Sequence, residues 1–113
     1  MKNQHINFKK RYAKLEKNKF TTVRWLDKFY KVGRVYDILY GGNYYLRNFL
    51  CQARCYKIEL KKINQLNKDF CQKDADCGID EFFRMMKMWY SKKPDWKDIN
   101  SEVQVLYLEK INT

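Results

Sequence analysis

The stretch from Leu50 to Ile63 constrains this chain more than any other. Cys51, Ala53 and Cys55 alternate against Gln52 and Arg54, the period-two pattern of a half-buried strand. Then the parity slips, and Tyr56, Ile58 and Leu60 alternate against Lys57, Glu59 and Lys61. A strand that shifts its apolar set by one residue without a break carries an extra residue, a β-bulge. Bulged strands bend, and a long bent strand curls its sheet toward a barrel.

The remaining segments fit around that strand. "HINF" (5–8) reads as a short first strand. From Phe8 the spacing of Phe8, Tyr12 and Leu15 at i, i+4 and i+7 predicts a helix with lysines on its other side. "EKNK" stops it, since Asn18 tolerates a left-handed turn. "FTTVRWL" is β-branched and aromatic and predicts a strand. Gly33 marks a turn or bulge, Val35 to Tyr40 a strand, Gly41-Gly42 a turn, and "NYYLRNFL" a loop or hairpin tip.

"NQLNKDFCQKDADCG" predicts a helix with Gly78 at its end. "IDEFFRMMKMWYSKK" predicts a second, with Asp80 as its N-cap and an apolar face of Ile79, Phe82, Phe83, Met86 and Tyr90. Met85, Met86 and Met88 read as helix packing. "VQVLYLEKI" (103–111) is apolar on both parities from Val105 to Leu108, as in a strand covered on both sides. Strand, helix, strands, two helices and strand predict an α+β fold on a curled sheet. The length of 113 residues predicts one domain, residues 1–113.

Charge narrows the function classes. Twenty-four Lys+Arg against 13 Asp+Glu give a net charge of +11, a field that attracts polyanions. Nucleic acid is the commonest polyanion; an anionic membrane surface would also respond. With 17% aromatic residues the chain also has rings on which unpaired bases can stack. No apolar run approaches the ~18 residues of a membrane span, and Met1 to Gln4 leads into no apolar segment of the kind a signal peptide carries. A cytoplasmic monomer with reduced thiols is therefore expected. The gaps between Cys51, Cys55, Cys71 and Cys77 are three, fifteen and five residues, and His5 is the single histidine. Zinc sites need tighter pairs, so neither metal nor cofactor is expected, and Cys51 and Cys55 read as small core residues.

"NKFTTVRW" (18–25) concentrates the polar groups of most interest. If 20–25 is a strand, Thr22 and Arg24 share one face with Phe20, while Thr21, Val23 and Trp25 share the other. Lys19 enters at the rim. Thr22 and Arg24 on a barrel wall would form a small polar pocket, or equally the solvated face of an ordinary strand. As a binding site it would use Lys19 and Arg24 for a phosphate or base carbonyl, and Trp25, Tyr40, Tyr44 and Tyr45 for stacking. Lys9, Lys10, Arg11, Lys14, Lys17 and Lys19 would give the first helix a basic side able to follow a phosphate backbone.

Three stretches, in this order, resemble the ASCH domain family, part of the PUA-like group of RNA-associated β-barrels. "FKKRYAKLEKNKFTTVR" is similar to the family's opening helix and its Gly-x-Lys-Thr-x-Thr-Ile-Arg-like segment, with Lys19, Thr22 and Arg24 matching the lysine, second threonine and arginine. "KVGRVYDIL" is similar to its Val-Gly-Asp strand entry, and "CGIDEFFRMM" followed by "VQVLYLEKI" to its late glycine, acidic helix start and final strand. Three positions depart from the pattern: Lys17 for the glycine, Phe20 for the first threonine and Arg34 for the aspartate.

The resemblance implies a PUA-like small curled β-barrel of about five strands with two to three helices. It also implies RNA, single-stranded or modified, as partner. Some bacterial relatives hydrolyse 4-acetylcytidine with a lysine, a threonine and a carboxylate. Lys19 and Thr22 fill the first two positions here. The carboxylate position falls on Ala75, between Asp74 and Asp76, so a one-residue shift restores an acid. In an amidohydrolase acting on 4-acetylcytidine or a related modified nucleoside, the resemblance makes Lys19 the general base. Thr22 supplies the attacking hydroxyl or holds the water, and Asp74 or Asp76 the proton for the leaving amine.

Overall fold

Residues 4–41 and 47–111 are described by a computed structural model of the chain. Five strands, β1 (Gln4–Phe8), β2 (Lys19–Arg24), β3 (Val35–Tyr40), β4 (Asn48–Lys62) and β5 (Glu102–Lys110), form one mixed sheet in the order β1-β3-β4-β5-β2. β1 runs parallel to β3, and every other pair is antiparallel. Two helices, α1 (Lys68–Ala75) and α2 (Ile79–Tyr90), are inserted between β4 and β5. The architecture is α+β, as the element order predicts.

β4 organises the sheet. Its first half pairs with β3 and its second with β5, and the register against β5 steps from Cys55 to Lys57, leaving Tyr56 as the extra residue. That is the point at which the apolar parity slips in the sequence. A second shift against β3 lies between Ile38 and Leu39. Two irregularities on one strand add twist and bend, and the consequence is seen at the sheet's ends. Flat, a five-stranded sheet would place its edge strands about 19 Å apart. Here Arg24 on β2 donates a 3.0 Å hydrogen bond to the carbonyl of Asn7 on β1, and the Phe8 and Phe20 rings lie 6.3 Å apart. The sheet is curled until its edges are a side chain apart. No ladder joins β1 to β2, so it is not closed into a barrel.

The core fills this curl. Phe8, Phe20, Ile38, Ala53, Cys55, Val105 and Leu108 are buried on the strands, and Phe82 and Met86 close it from α2. β5 is buried at every residue from Val103 to Leu106, matching its apolar run on both parities. The loop between β2 and β3 is held from below: Gln104 donates to the carbonyls of Trp25 (2.9 Å) and Asp27 (3.3 Å), and the Tyr36 hydroxyl donates to the Phe29 carbonyl (2.9 Å). Gly33 turns this loop back at φ +91°, a conformation that side-chain-bearing residues rarely adopt.

Four local expectations are corrected. The helix from Phe8 does not form; β1 continues through Phe8, which pairs with Tyr40, and a single 3-10 turn spans Ala13–Glu16. Phe8, Tyr12 and Leu15 are buried as predicted, but an extended chain delivers them to the core. α1 ends at Asp76, which takes the left-handed conformation at φ 57°, instead of at Gly78. Gly78 is instead the N-cap of α2, and Asp80 lies inside its first turn. Met88 is 66% exposed and stands outside the buried core.

Candidate functional site

A cavity of about 350 Å³ opens where the curled sheet meets the helices. One wall is α2, which presents Phe82, Met85, Met86, Trp89 and Tyr90 at helical spacing. The facing wall is Phe8 and Tyr12 with the end of β2, Thr22 to Arg24. Asp74 and Ala75 of α1 and Lys14 complete it.

Within this apolar surround sits a buried polar cluster. The Lys14 ammonium lies 3.1 Å from Asp74 Oδ1, and the two side chains are 5% and 6% exposed. The Thr21 hydroxyl donates to the same carboxylate oxygen at 2.6 Å. Burial pulls the Lys14 ammonium below its ordinary pKa; the charge and hydrogen bond of Asp74 resist, and the charge of Arg24 adds to the lowering. Lys14 also lies over the Phe8 and Tyr12 rings, at 4.8 and 5.5 Å from their centroids. Burial, and then the negative charge of Asp74, raise the Tyr12 hydroxyl, and burial raises that of Tyr90.

Arg24 sits across the cavity from this pair. Its Nε donates to Thr22 Oγ1 at 3.0 Å, its Nη2 holds the Asn7 carbonyl, and its guanidinium lies 5.2 Å from the Phe8 centroid. Two lining residues carry polar atoms that are buried with no hydrogen-bond partner, the acceptor Oδ1 of Asn7 and the donor Nε1–H of Trp89. A buried polar atom left unpaired costs ~1–3 kcal/mol. Both belong to residues of the cavity lining but are closed to solvent, so a bound heterocycle would satisfy them only once these side chains turn toward it.

The residues singled out from the sequence divide into three groups. Thr22, Arg24 and Asp74 line the cavity. Lys19 does not: it is 62% exposed, lies 3.4 Å from Glu109, its cross-strand partner, and sits over the Tyr56 ring. Asp76 also lies outside the lining, where its carboxylate caps the 13–16 turn by accepting from the Ala13 N–H at 2.9 Å. Tyr40 stands outside too, with its hydroxyl accepting from Arg11 at 3.2 Å. Trp25 borders a second, smaller recess described below. Tyr44 and Tyr45 lie outside the described residues.

Lys19 is the lysine that the sequence points to, whereas the cavity holds Lys14, expected on the basic side of a first helix. No local signal marks Lys14, because its partner Asp74 comes sixty residues later. Tyr90 belongs to the apolar face read from the sequence, and Trp89, three residues after Met86, was findable as its continuation.

Among the described residues, no group of three or more His, Cys, Asp or Glu is placed to hold a metal, and no helix is long and apolar enough to cross a membrane. The chain matches no protein-family model, no curated protein and no solved structure.

Proposed function

We propose that this chain is an RNA-binding protein of the ASCH type that takes one base of single-stranded or modified RNA into the cavity. On this reading the curled sheet is a PUA-like barrel left open along the seam between β1 and β2. The observation that carries the proposal is the make-up of the cavity. Its volume falls at the lower end of the ~300–1,000 Å³ of small-molecule sites, right for a single heterocycle and too small for a helix. Aromatic walls suit an unstacked base, and Arg24 suits its carbonyl or phosphate. The unpaired indole N–H of Trp89 and side-chain carbonyl of Asn7 would pair with a base edge once turned toward it. The net charge of +11 brings the polyanion to the mouth.

Single-stranded RNA titrated at about 50 and 200 mM salt tests it. Affinity should be measurable at the lower concentration and fall at the higher, as contacts to phosphates release counterions. Absence of binding at low salt, or affinity indifferent to salt, would end the proposal.

One observation favours a second reading, hydrolysis of 4-acetylcytidine or a related acylated base. Lys14 with its lowered pKa, Asp74 and Thr21 are the groups such chemistry requires, already in contact. Lys14, after passing its proton to Asp74, would take a proton from water as it attacks the amide carbonyl. The C–N bond then breaks, the amine leaves with a proton relayed through Asp74, and acetate and cytidine are the products. Incubation with 4-acetylcytidine should release cytidine, should fail for Lys14→Met, and should be unaffected in Lys19→Ala. Turnover lost in Lys19→Ala and kept in Lys14→Met would return the role to Lys19.

A further inference from the structure

Beside the main cavity lies a second recess of about 220 Å³, lined by Arg24, Trp25, Leu26, Asp27, Tyr30, Tyr90 and Lys93. Arg24 and Tyr90 belong to both linings, so the two spaces meet at these side chains. We propose that this recess is the subsite for the neighbouring nucleotide, which makes the ligand an oligoribonucleotide and not a free nucleoside. The proposal rests on the reading of the main cavity as a base pocket.

Three features carry it. The first is the ring surface. Trp25 and Tyr90 lie with centroids 5.4 Å apart and planes at 32°, and Trp96 lies 6.2 Å from Trp25 on planes at 35°. Of these tilted rings Trp25 and Tyr90 line the recess and offer aromatic surface to a second base, and a base on an aromatic ring is a sequence-tolerant contact. The second is the placement of charge. Arg24 stands where the chain would pass from one space to the other. Among the described residues its guanidinium donates to Thr22 and Asn7 only, of the five N–H groups it has. The Lys93 ammonium on the far side has no carboxylate partner among the described residues. A phosphate linking the two nucleotides would lie between these cations. Asp27 in the same lining repels a further phosphate, so the recess is fitted to one linkage and not to a run of them.

The third feature is rigidity. The loop that bears Trp25, Asp27 and Tyr30 is pinned by buried Gln104, which donates to the Trp25 and Asp27 carbonyls, and by the Tyr30 N–H on the Asp27 carbonyl at 3.4 Å. A subsite held in place before binding loses less entropy when occupied.

Tryptophan fluorescence titrations with the four ribonucleosides and with the corresponding homodinucleotides test the proposal. The best dinucleotide should bind at least tenfold more tightly than its nucleoside. Lys93→Ala, an exposed position, should remove about half of that advantage on a logarithmic scale and leave nucleoside affinity unchanged, and Trp25→Leu should remove most of the advantage. Dinucleotides that bind no better than nucleosides, or an advantage that survives both substitutions, would overturn the subsite and leave the base pocket standing. Binding of neither class would end the base-pocket reading, and the subsite with it.

Discussion

Lys14 and Lys19 sit five residues apart, and each faces a carboxylate at close range. Lys14 lies 3.1 Å from Asp74 and Lys19 lies 3.4 Å from Glu109. The chemistry is the same and the surroundings are not. The first pair is 5% and 6% exposed, the second 62% and 46%. In water an ion pair is screened and contributes ~0–1 kcal/mol. In the core the same two charges are bound to each other by the cost of leaving either alone. Burial, and not nearness in the sequence to β2, separates the lysine that lines the cavity from the one that stays in solvent.

The largest effect should come from breaking the buried pair. Asp74→Ala leaves the Lys14 ammonium buried without a counter-charge and should lower unfolding stability by ~3–5 kcal/mol in denaturant titrations. Replacing both partners, Lys14→Met with Asp74→Leu, should restore most of the loss, because an apolar pair of similar volume suits that surround. A double variant as unstable as the single one would show that the pair has no such coupling.

Next in size is a dependence on pH. Folding lowers the Lys14 pKa, so between that depressed value and the ~10.4 of an unfolded lysine the unfolded chain holds more protons. Stability then rises with pH across this window. Tyr12 and Tyr90, raised by burial, act in the opposite sense above about pH 10, where the unfolded chain gives up its phenolic protons first. The rise should therefore be read as the difference between the wild type and the Lys14→Met/Asp74→Leu chain, which lacks it. No difference between the two pH profiles would mean that Lys14 titrates as an exposed lysine.

A smaller loss is expected at Thr21. Thr21→Val removes one hydrogen bond to the Asp74 carboxylate and keeps the shape, which should cost ~1–2 kcal/mol. The smallest belongs to the exposed pair. Lys19→Ala should change stability by less than ~0.5 kcal/mol, and added salt should erase even that. A loss at Lys19 comparable with that at Thr21 would break the comparison.

What the sequence disclosed follows from the range of the interactions. The bulge at Tyr56 was legible because parity is a property of the strand itself, and it carried the curl of the sheet with it. The bounds of β3 and the two-sided burial of β5 were legible for the same reason. The segment from Phe8 to Leu15 misled, because apolar residues at i, i+4 and i+7 fit a helix, whereas Phe8 is claimed by a parallel ladder with Tyr40, 32 positions on. Within the site, strand alternation placed Thr22 and Arg24 on one face with Phe20 but left open whether that face was a pocket or solvated. The burial of Lys14 could not follow from any local pattern, since it depends on α1 bringing Asp74 against the 13–16 turn.

On the proposed function, RNA enters the cavity instead of resting on the basic exterior. Nitrogen-15 spectra recorded during titration with a short single-stranded RNA observe this directly through the Trp89 indole N–H, buried at the cavity wall without a partner. This signal should shift in step with binding, together with the Asn7 side-chain amide, while the Lys19 amide stays in place. Shifts confined to exposed lysine-bearing segments, with the Trp89 indole unmoved at saturation, would contradict it.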